Sequence, residues 1–249
     1  MKTLYLDCGM GAAGDMLASA LLELVPDREA FVKRFREAGI PGVELQIEKS
    51  EKCGIMGTHV KMLVQGEEEV SDHEHHHEHH HVHRSMHEIE HIVNELKLDT
   101  QIKKDVMAIY RLIAEAESKV HGKEVTEIHF HEVGAMDAIA DITAVCMLMR
   151  EIAPEAVIAS PVATGYGAVY CAHGVLSVPA PATALLLQGV PVYAGKIEAE
   201  LCTPTGAALL KYFVKRFEQM PLLTIEKTGY GMGKKDFARA NCVRAILGK

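Results

Sequence analysis

The sequence predicts an α/β fold, a mixed sheet with flanking helices and a flexible His-rich insert. Short stretches in which apolar and polar residues alternate, as in strands, recur between longer segments whose apolar residues have helical spacing. One segment departs from both patterns, because residues 66–83 contain three consecutive glutamates and eight histidines. Such a composition cannot bury enough apolar surface to fold. We therefore predict a single domain over residues 1–249, interrupted by a disordered insert at about residues 66–84.

The chain begins with a predicted β-loop-α unit. Residues 2–7 alternate as in a strand, three glycines follow between residues 9 and 14, and residues 16–24 have helical spacing. A second helix is predicted over residues 27–38, because Gly39 stops it. These elements place a glycine-rich loop between the first strand and the first helix.

The later elements continue the alternation of strands and helices. Residues 43–48 and 58–64 are predicted strands joined around Gly54, and they are expected to pair as a hairpin. Predicted helices over residues 85–96 and 100–120 are expected to pack on each other. The remaining predictions are a strand over 127–130, a turn over 133–137, a helix over 138–152, helices at about 182–188 and 207–217, and a final strand over 242–247.

Composition excludes several classes of partner. The formal net charge is -8 and lysines and arginines do not cluster, so a nucleic-acid partner is not expected. No apolar run approaches the roughly 20 residues that cross a bilayer, and the N-terminus does not resemble a signal peptide. Six cysteines without a CxxC motif indicate reduced thiols. We expect a soluble, cytoplasmic protein without a membrane partner.

The His-rich insert predicts metal capture. Neutral imidazole is a common protein ligand for nickel, zinc and copper, and a flexible tract lets several rings converge on one ion. The alternative is a solvated loop that binds metals adventitiously. The candidate ligands are His73, His75, His76, His77, His79, His80, His81 and His83.

A second group of candidate residues follows the predicted helical pair. His129 and His131 would share one face of a strand, while Asp137 and Asp141 would share one face of the next helix. With Glu132, they could bind a transition metal or supply a general base. The alternative is that Asp137 caps the helix and that one histidine is an ordinary core residue.

A third group surrounds the first glycine loop. The spacing of Gly9, Gly11 and Gly14 between a strand and a helix matches the dinucleotide-binding fingerprint. However, Asp15 would place a carboxylate at the helix N-terminus, where a pyrophosphate should bind. Asp7 and Asp15 are therefore better suited to a cation or a cationic ring, although capping alone would also explain Asp15.

Two later loops are candidates for anion binding. Thr203, Thr205 and Gly206 stand at a predicted helix start and could cradle a phosphate, although in isolation they are more simply explained as helix caps. Residues 229–235 (GYGMGKK) form a predicted mobile basic loop that could close over an anion, or a plain turn before the last strand.

Several ordered motifs together resemble the nickel-insertion proteins (LarC) that complete the nickel-pincer cofactor of lactate racemase. The resemblance extends over nearly the whole chain. Besides the His-rich tract, the matching motifs are residues 7–16 (DCGMGAAGDM), 114–122 (AEAESKVHG), 129–137 (HFHEVGAMD), 179–183 (PAPAT), 203–208 (TPTGAA) and 229–233 (GYGMG).

This resemblance implies a nickel chelatase, or cyclometallase, of the lyase class. Nickel would enter a pyridinium bisthiocarboxylic acid mononucleotide through two Ni–S bonds and one Ni–C bond, with CTP consumed. A general base beside the nickel is then required, and the candidates are His129, His131, Glu132 and Asp137. Nickel ligands would be His129, His131 and Asp141. The cofactor-binding candidates are Asp7, Gly11, Gly14, Asp15, Thr203, Thr205 and Gly206.

The resemblance also implies partners for the chain. Family members usually continue into a smaller C-terminal domain that binds CTP with Mg²⁺ or Mn²⁺, so the chain is expected to be the N-terminal part and can be incomplete for turnover. Expected partners are that domain or its separate chain, the lactate racemase maturation proteins and a second copy in a homo-oligomer. Two alternative functions stay open at this point: a nickel storage and delivery chaperone without catalysis, and a disfavoured NAD-dependent oxidoreductase.

Overall fold

The computed structural model describes residues 1–68, 84–130, 132–171 and 174–249. Its first half contains β1 (Thr3–Asp7), α1 (Gly14–Leu22), α2 (Arg28–Ala38), β2 (Val43–Lys52), β3 (Ile55–Val64), β4 (Glu67–Glu68), β5 (Arg84–Ser85), α3 (Met86–Glu95) and α4 (Thr100–His121). Its second half contains β6 (His129–Phe130), α5 (Met136–Ile152), β7 (Ala156–Ala159), β8 (Val162–Ala163), β9 (Ala168–Cys171), β10 (Gly174–Ser177), α6 (Pro181–Leu186), β11 (Val192–Tyr193), α7 (Pro204–Phe213), β12 (Arg216–Phe217), β13 (Ile225–Met232) and β14 (Cys242–Gly248). The predicted α/β class is confirmed.

One mixed sheet organises the described elements. Its strand order is β12-β7-β1-β14-β13-β3-β2, and β4 pairs with β3. The first strand lies parallel to β7 and antiparallel to β14, while β13 lies parallel to β3. The main core covers one face of this sheet, where α1 contacts β13, β3, β14 and α5. The loop after β1 therefore opens beside the helices that pack on the sheet.

The first three predicted units are confirmed. The glycine loop joins β1 to α1, and α2 ends at Gly39 in the left-handed conformation. β2 and β3 pair as the expected hairpin, in register from Val43 opposite Val64 to Lys52 opposite Ile55. Cys53 and Gly54 both have positive φ, at 51° and 77°, which gives the tight turn that joins two twisted antiparallel strands.

Three predicted elements differ from the structure. The loop predicted over residues 229–235 is wrong for residues 229–232, which belong to strand β13, whereas residues 233–235 follow the end of that strand. The helix predicted over 207–217 is wrong at both ends: it starts at Pro204, and after Phe213 the backbone N–H of Lys215 bonds to the Val157 carbonyl, which takes the chain into edge strand β12. The strand predicted over 127–130 is shorter, because residues 125–127 form a 3₁₀ turn.

Described residues at both ends of the predicted insert, about 66–84, belong to strands. Glu67 and Glu68 pair with Val64 and Leu63 of β3, so they belong to the sheet rather than to an irregular segment. At the other side, Arg84 and Ser85 pair with Phe130 and His129. The eight candidate histidines at 73–83 lie outside the described residues.

The packing of α3 on α4 is confirmed, and a capping box starts α3. The Ser85 hydroxyl accepts the N–H of Glu88, while the Glu88 carboxylate accepts the Ser85 N–H at 2.7 Å. This exchange satisfies two donors that a helix start leaves unpaired.

Replacement of this cap is expected to have a measurable cost. Ser85→Ala should lower the free energy of unfolding by about 1 kcal/mol, because the helix loses its side-chain acceptor. Urea denaturation followed by circular dichroism measures the change. An unaltered urea midpoint would contradict the capping role.

All six cysteines are free thiols, as predicted, and Cys8, Cys146 and Cys202 are buried. In the part of the chain that the structure describes, no helix is both long and apolar enough to cross a membrane.

Candidate functional site

A cavity of about 950 Å³ opens where α1, α5 and α7 begin. Its other walls are the β9–β10 hairpin and residues 198–201, with residues 233–237 beyond the end of β13. Helix starts contribute Asp15, Asp137 and Asp141, and strands or loops contribute Glu68, Glu198, Glu200 and Asp236. Lys234 and Lys235 are the lysines of the described lining. The cavity therefore combines a strongly acidic wall with a smaller basic segment.

The acidic wall forms where α1 and α5 meet at close range. Gly14 makes this contact possible, since a Cβ there would lie 2.6 Å from Oδ2 of Asp141. The backbone N–H of Asp15 bonds to the Asp141 carboxylate. Asp137 lies one turn earlier on α5. Three carboxylates thus converge at the starts of two helices.

Burial and mutual repulsion alter the acidity of two of these carboxylates. Burial raises the pKa of Asp141 well above its usual value, and the charges of Asp15 and Asp137 raise it further. Burial also raises the pKa of Asp15, against the opposing effects of His59 and Lys234. Oδ1 of Asp141 is inaccessible to solvent and has no hydrogen-bond partner among the described residues. A carboxylate with a raised pKa accepts a proton more readily than an ordinary aspartate does.

A buried histidine supports the acidic wall from behind. Nδ1 of His59 lies 2.8 Å from the Met232 carbonyl, so this nitrogen carries a proton and donates it. The same nitrogen lies 4.0 Å from Oδ2 of Asp15, and Nε2 lies 3.7 Å from Oε1 of Glu68. Lys234 Nζ is 2.8 Å from the same Glu68 oxygen. Glu68 is thus the link between the histidine and the basic segment.

Several residues predicted for the site lie outside the described lining. Asp7 bonds to Arg244 at 2.7 Å and to the Gly9 N–H at 3.1 Å. His129 is exposed on β6, opposite Ser85. His131 lies outside the described residues, and the backbone of Glu132 starts a short 3₁₀ turn.

Among the residues that the structure describes, no three histidine, cysteine, aspartate or glutamate side chains are grouped so that they could hold a metal ion. Of the second predicted group, the structure brings Asp137 and Asp141 together at the cavity.

The predicted threonine loop serves both as a cap and as part of the cavity wall. Thr203 Oγ1 accepts the N–H of Gly206 at 3.2 Å, which is an ordinary helix cap. Gly206 packs against the glycine loop, because a Cβ there would lie 2.1 Å from the Ala12 carbonyl oxygen. Thr203 and Thr205 line the cavity.

The first glycine loop does not favour a dinucleotide. Asp15 stands in the first turn of α1, so its carboxylate lies at the helix start that a pyrophosphate would need. Gly11 serves packing instead, since a Cβ on it would lie 1.9 Å from the Leu201 carbonyl oxygen.

Five acidic or basic residues of this region escaped the sequence analysis: His59, Glu68, Glu198, Glu200 and Asp236. His59 is a single histidine within a strand, and Glu68 belongs to the acidic run that introduces the insert. Neither carries a local signal of a site. Lys234 and Lys235, which the sequence placed in a basic loop, do line the cavity.

Comparison with known proteins identifies the family. The family described as "Nickel insertion protein" matches residues 4–249. The pyridinium-3,5-bisthiocarboxylic acid mononucleotide nickel insertion protein of Clostridium kluyveri is 40% identical over 250 residues, which cover 100% of this chain and 62% of the relative. Its namesake in Clostridium acetobutylicum is 41% identical over 270 residues, with 100% and 64% covered.

The chain spans about three fifths of the length of these relatives. No solved structure matches it. Because the family match extends over nearly the whole sequence, the chain belongs to the nickel insertion protein family.

Proposed function

We propose that the cavity binds a pyridinium-3,5-bisthiocarboxylic acid mononucleotide and Ni²⁺, and that the chain takes part in joining them. The observation that carries this proposal is the pair of half-buried carboxylates with raised pKa values, Asp15 and Asp141, at the wall of a cavity of about 950 Å³. Ligand pockets usually measure about 300–1,000 Å³, so a mononucleotide with a metal ion fits the available volume. The names of the relatives supply the identity of the substrate.

The distribution of charge supports one orientation of this substrate. Lys234 and Lys235 lie together after β13 and suit the phosphate. The carboxylates of α1 and α5 suit the divalent metal and the cationic ring. The two thiocarboxylates are themselves soft ligands for nickel, so protein groups need to fill only the remaining positions. Nickel is a substrate in this scheme.

The chemistry requires a proton acceptor beside the ring. When a Ni–C bond replaces a ring C–H bond, the electron pair of the C–H bond becomes the Ni–C bond and the proton must leave. We assign this proton to Asp141, because its raised pKa makes its carboxylate a stronger base than that of an ordinary aspartate. The N–H of Asp15 orients the Asp141 carboxylate. The sequence analysis named Asp141 as a nickel ligand and Asp137 as a candidate base. This proposal instead gives the role of base to Asp141, and it gives His129 no direct part.

The complete reaction extends beyond these residues. The proposed enzyme is a nickel chelatase of the lyase class, acting in the cytoplasm. From the family resemblance, we propose that CTP with Mg²⁺ or Mn²⁺ binds in the part of the relatives that this chain does not span.

A binding experiment tests the basic segment. Lys234→Gln is expected to raise the Kd for the mononucleotide about tenfold, because a phosphate contact to a charged group contributes about 1.5–3 kcal/mol, part of which the amide retains. Isothermal titration calorimetry of the chain gives this value directly.

Lys61→Gln is the matched control, since Lys61 also approaches Glu68, at 3.7 Å, but does not belong to the described lining of the cavity. Its Kd should remain within about twofold of the parent value, well below the tenfold effect of one strong contact. If the unaltered chain shows no binding of the mononucleotide, the proposed function is wrong.

A further inference from the structure

The β9–β10 hairpin forms a wall of the cavity with one exposed aromatic side chain. Three consecutive residues of β9, Ala168, Val169 and Tyr170, line the cavity. Strand β9 is therefore the part of the hairpin that borders the cavity. Among the described strands, β9 and β10 pair only with each other.

Tyr170 is 68% exposed, although it belongs to a cavity wall. Its cross-strand neighbour Val175 is also exposed, and directly opposed residues of a hairpin share a face. The hairpin thus presents an aromatic ring and a branched apolar side chain to solvent. A ligand that covered this face would remove that apolar surface from water.

The cavity that Tyr170 lines carries charges that favour a cation. Seven carboxylates but two lysines belong to the described lining, with Glu198 and Glu200 on the segment that packs against the base of the hairpin. That packing is close, because a Cβ on Gly167 would lie 2.9 Å from Cγ of Glu198. The face of a tyrosine ring attracts cations, and flat aromatic cations also stack on it.

We infer that Tyr170 recognises the pyridinium ring of the substrate by stacking on it. This inference rests on the proposed function, because the mononucleotide must occupy the cavity. Tyr170 is then a specificity-determining residue: it selects a ring that is both planar and positively charged. In the orientation proposed above, the lysines suit the phosphate and the hairpin offers the surface on which the ring stacks.

The test compares two ligands that differ in the ring alone. Pyridinium-3-carboxamide mononucleotide carries a cationic aromatic ring, and its 1,4-dihydro form has neither the charge nor the aromaticity. Both are titrated calorimetrically into the unaltered chain and into Tyr170→Leu, Tyr170→Phe and Tyr166→Leu. The pyridinium-3,5-bisthiocarboxylic acid mononucleotide is titrated in parallel. Tyr166 is a matched control, since it is 42% exposed and does not belong to the described lining.

Tyr170→Leu is expected to raise the Kd of both pyridinium ligands roughly tenfold, within the range of a partly desolvated cation–π contact. Tyr170→Phe should change it less than about twofold, because the ring is kept. Tyr166→Leu should have no effect, and the dihydro ligand should bind all four proteins equally.

Equal Kd values for Tyr170→Leu and the unaltered chain overturn the inference alone. Equal weakening by Leu and Phe also overturns it, since the hydroxyl would then be the recognised group. If the unaltered chain binds neither pyridinium ligand, the proposed function fails and this inference fails with it.

Discussion

Asp141→Asn is expected to lower the rate of nickel insertion by about 10²–10⁴-fold, the usual contribution of a general base. The amide keeps the shape of the side chain and its contact with Gly14, but it cannot accept the proton that leaves the ring. The assay follows formation of the nickel-containing mononucleotide by mass spectrometry, in the full-length protein with Ni²⁺, CTP and Mg²⁺. Asp236→Asn is the control, because Asp236 lines the same cavity but its side chain is 85% exposed.

The same substitution should stabilise the fold at neutral pH. The pKa of Asp141 is raised in the folded state, so the folded chain binds this proton over a pH range in which the unfolded chain has released it. The contribution of Asp141 to the free energy of unfolding is therefore greatest below the ordinary carboxyl pKa. It is lost as pH rises through the raised pKa that this group has in the folded chain. Asparagine carries no charge and escapes this loss.

Thermal unfolding at pH 5 and pH 8 separates the two effects. At pH 8 the free energy of unfolding of Asp141→Asn should be about 1 kcal/mol higher than that of the parent chain. Removal of an unfavourable active-site group typically stabilises a protein by about this amount. The difference should shrink at pH 5, where Asp141 is closer to its protonated form. A variant that retains full activity, or that is less stable at pH 8 than at pH 5 relative to the parent chain, would contradict the role assigned to Asp141.

The parts of the fold that sequence patterns predicted are those that depend on local interactions. The β1–loop–α1 unit, the β2–β3 hairpin and helix α3 with its cap each arise from neighbours along the chain. Periodicity, turn residues and caps act over the same short distances along the chain, so the sequence alone predicts these elements. The sequence alone does not predict the end of α7, because there the chain leaves the helix to pair with β7.

The site could be predicted in part, for the corresponding reason. Asp15, Asp137 and Asp141 belong to motifs with a clear local pattern, and the structure brings these motifs together at the starts of α1 and α5. The contact between Glu68 and Lys234 instead depends on the pairing of β13 with β3, where Gly231 lies opposite Thr58. No local sequence pattern in either strand predicts pairing with a segment so distant in sequence.

The glycines of β13 illustrate how a motif can be recognised but misinterpreted. The GYGMG sequence suggested a flexible loop, since glycine is common in turns. In the structure two of the three glycines, Gly229 and Gly231, lie in strand β13 beneath α1. A Cβ on Gly229 would lie 2.2 Å from the Ala20 carbonyl oxygen, and one on Gly231 would lie 1.9 Å from that of Met16. These glycines are there because helix and strand approach too closely for any side chain.

Gly231→Ala is accordingly expected to destabilise the chain by about 3 kcal/mol or more, near the upper range for overpacking. The added carbon would lie 1.9 Å from Met16 O and 2.5 Å from Ala20 N. Both are backbone atoms, so no side-chain rotation can relieve the clash. Helix α1 must move, and Asp15 moves with it. Urea denaturation measures the loss, and reduced mononucleotide binding by the folded fraction reports the displaced site.

Tyr230→Phe provides the comparison within the same strand. Its hydroxyl bonds to Arg244, so its loss should cost about 1 kcal/mol and leave α1 in place. If Gly231→Ala and the parent chain unfold at the same urea concentration, α1 does not approach β13 as closely as the Gly231 distances indicate. If it folds with weakened binding while Tyr230→Phe binds normally, the strand glycines serve the site by fixing the position of Asp15. The GYGMG motif would then be required because its glycines let α1 pack closely on β13, and this packing fixes the position of Asp15 at the cavity.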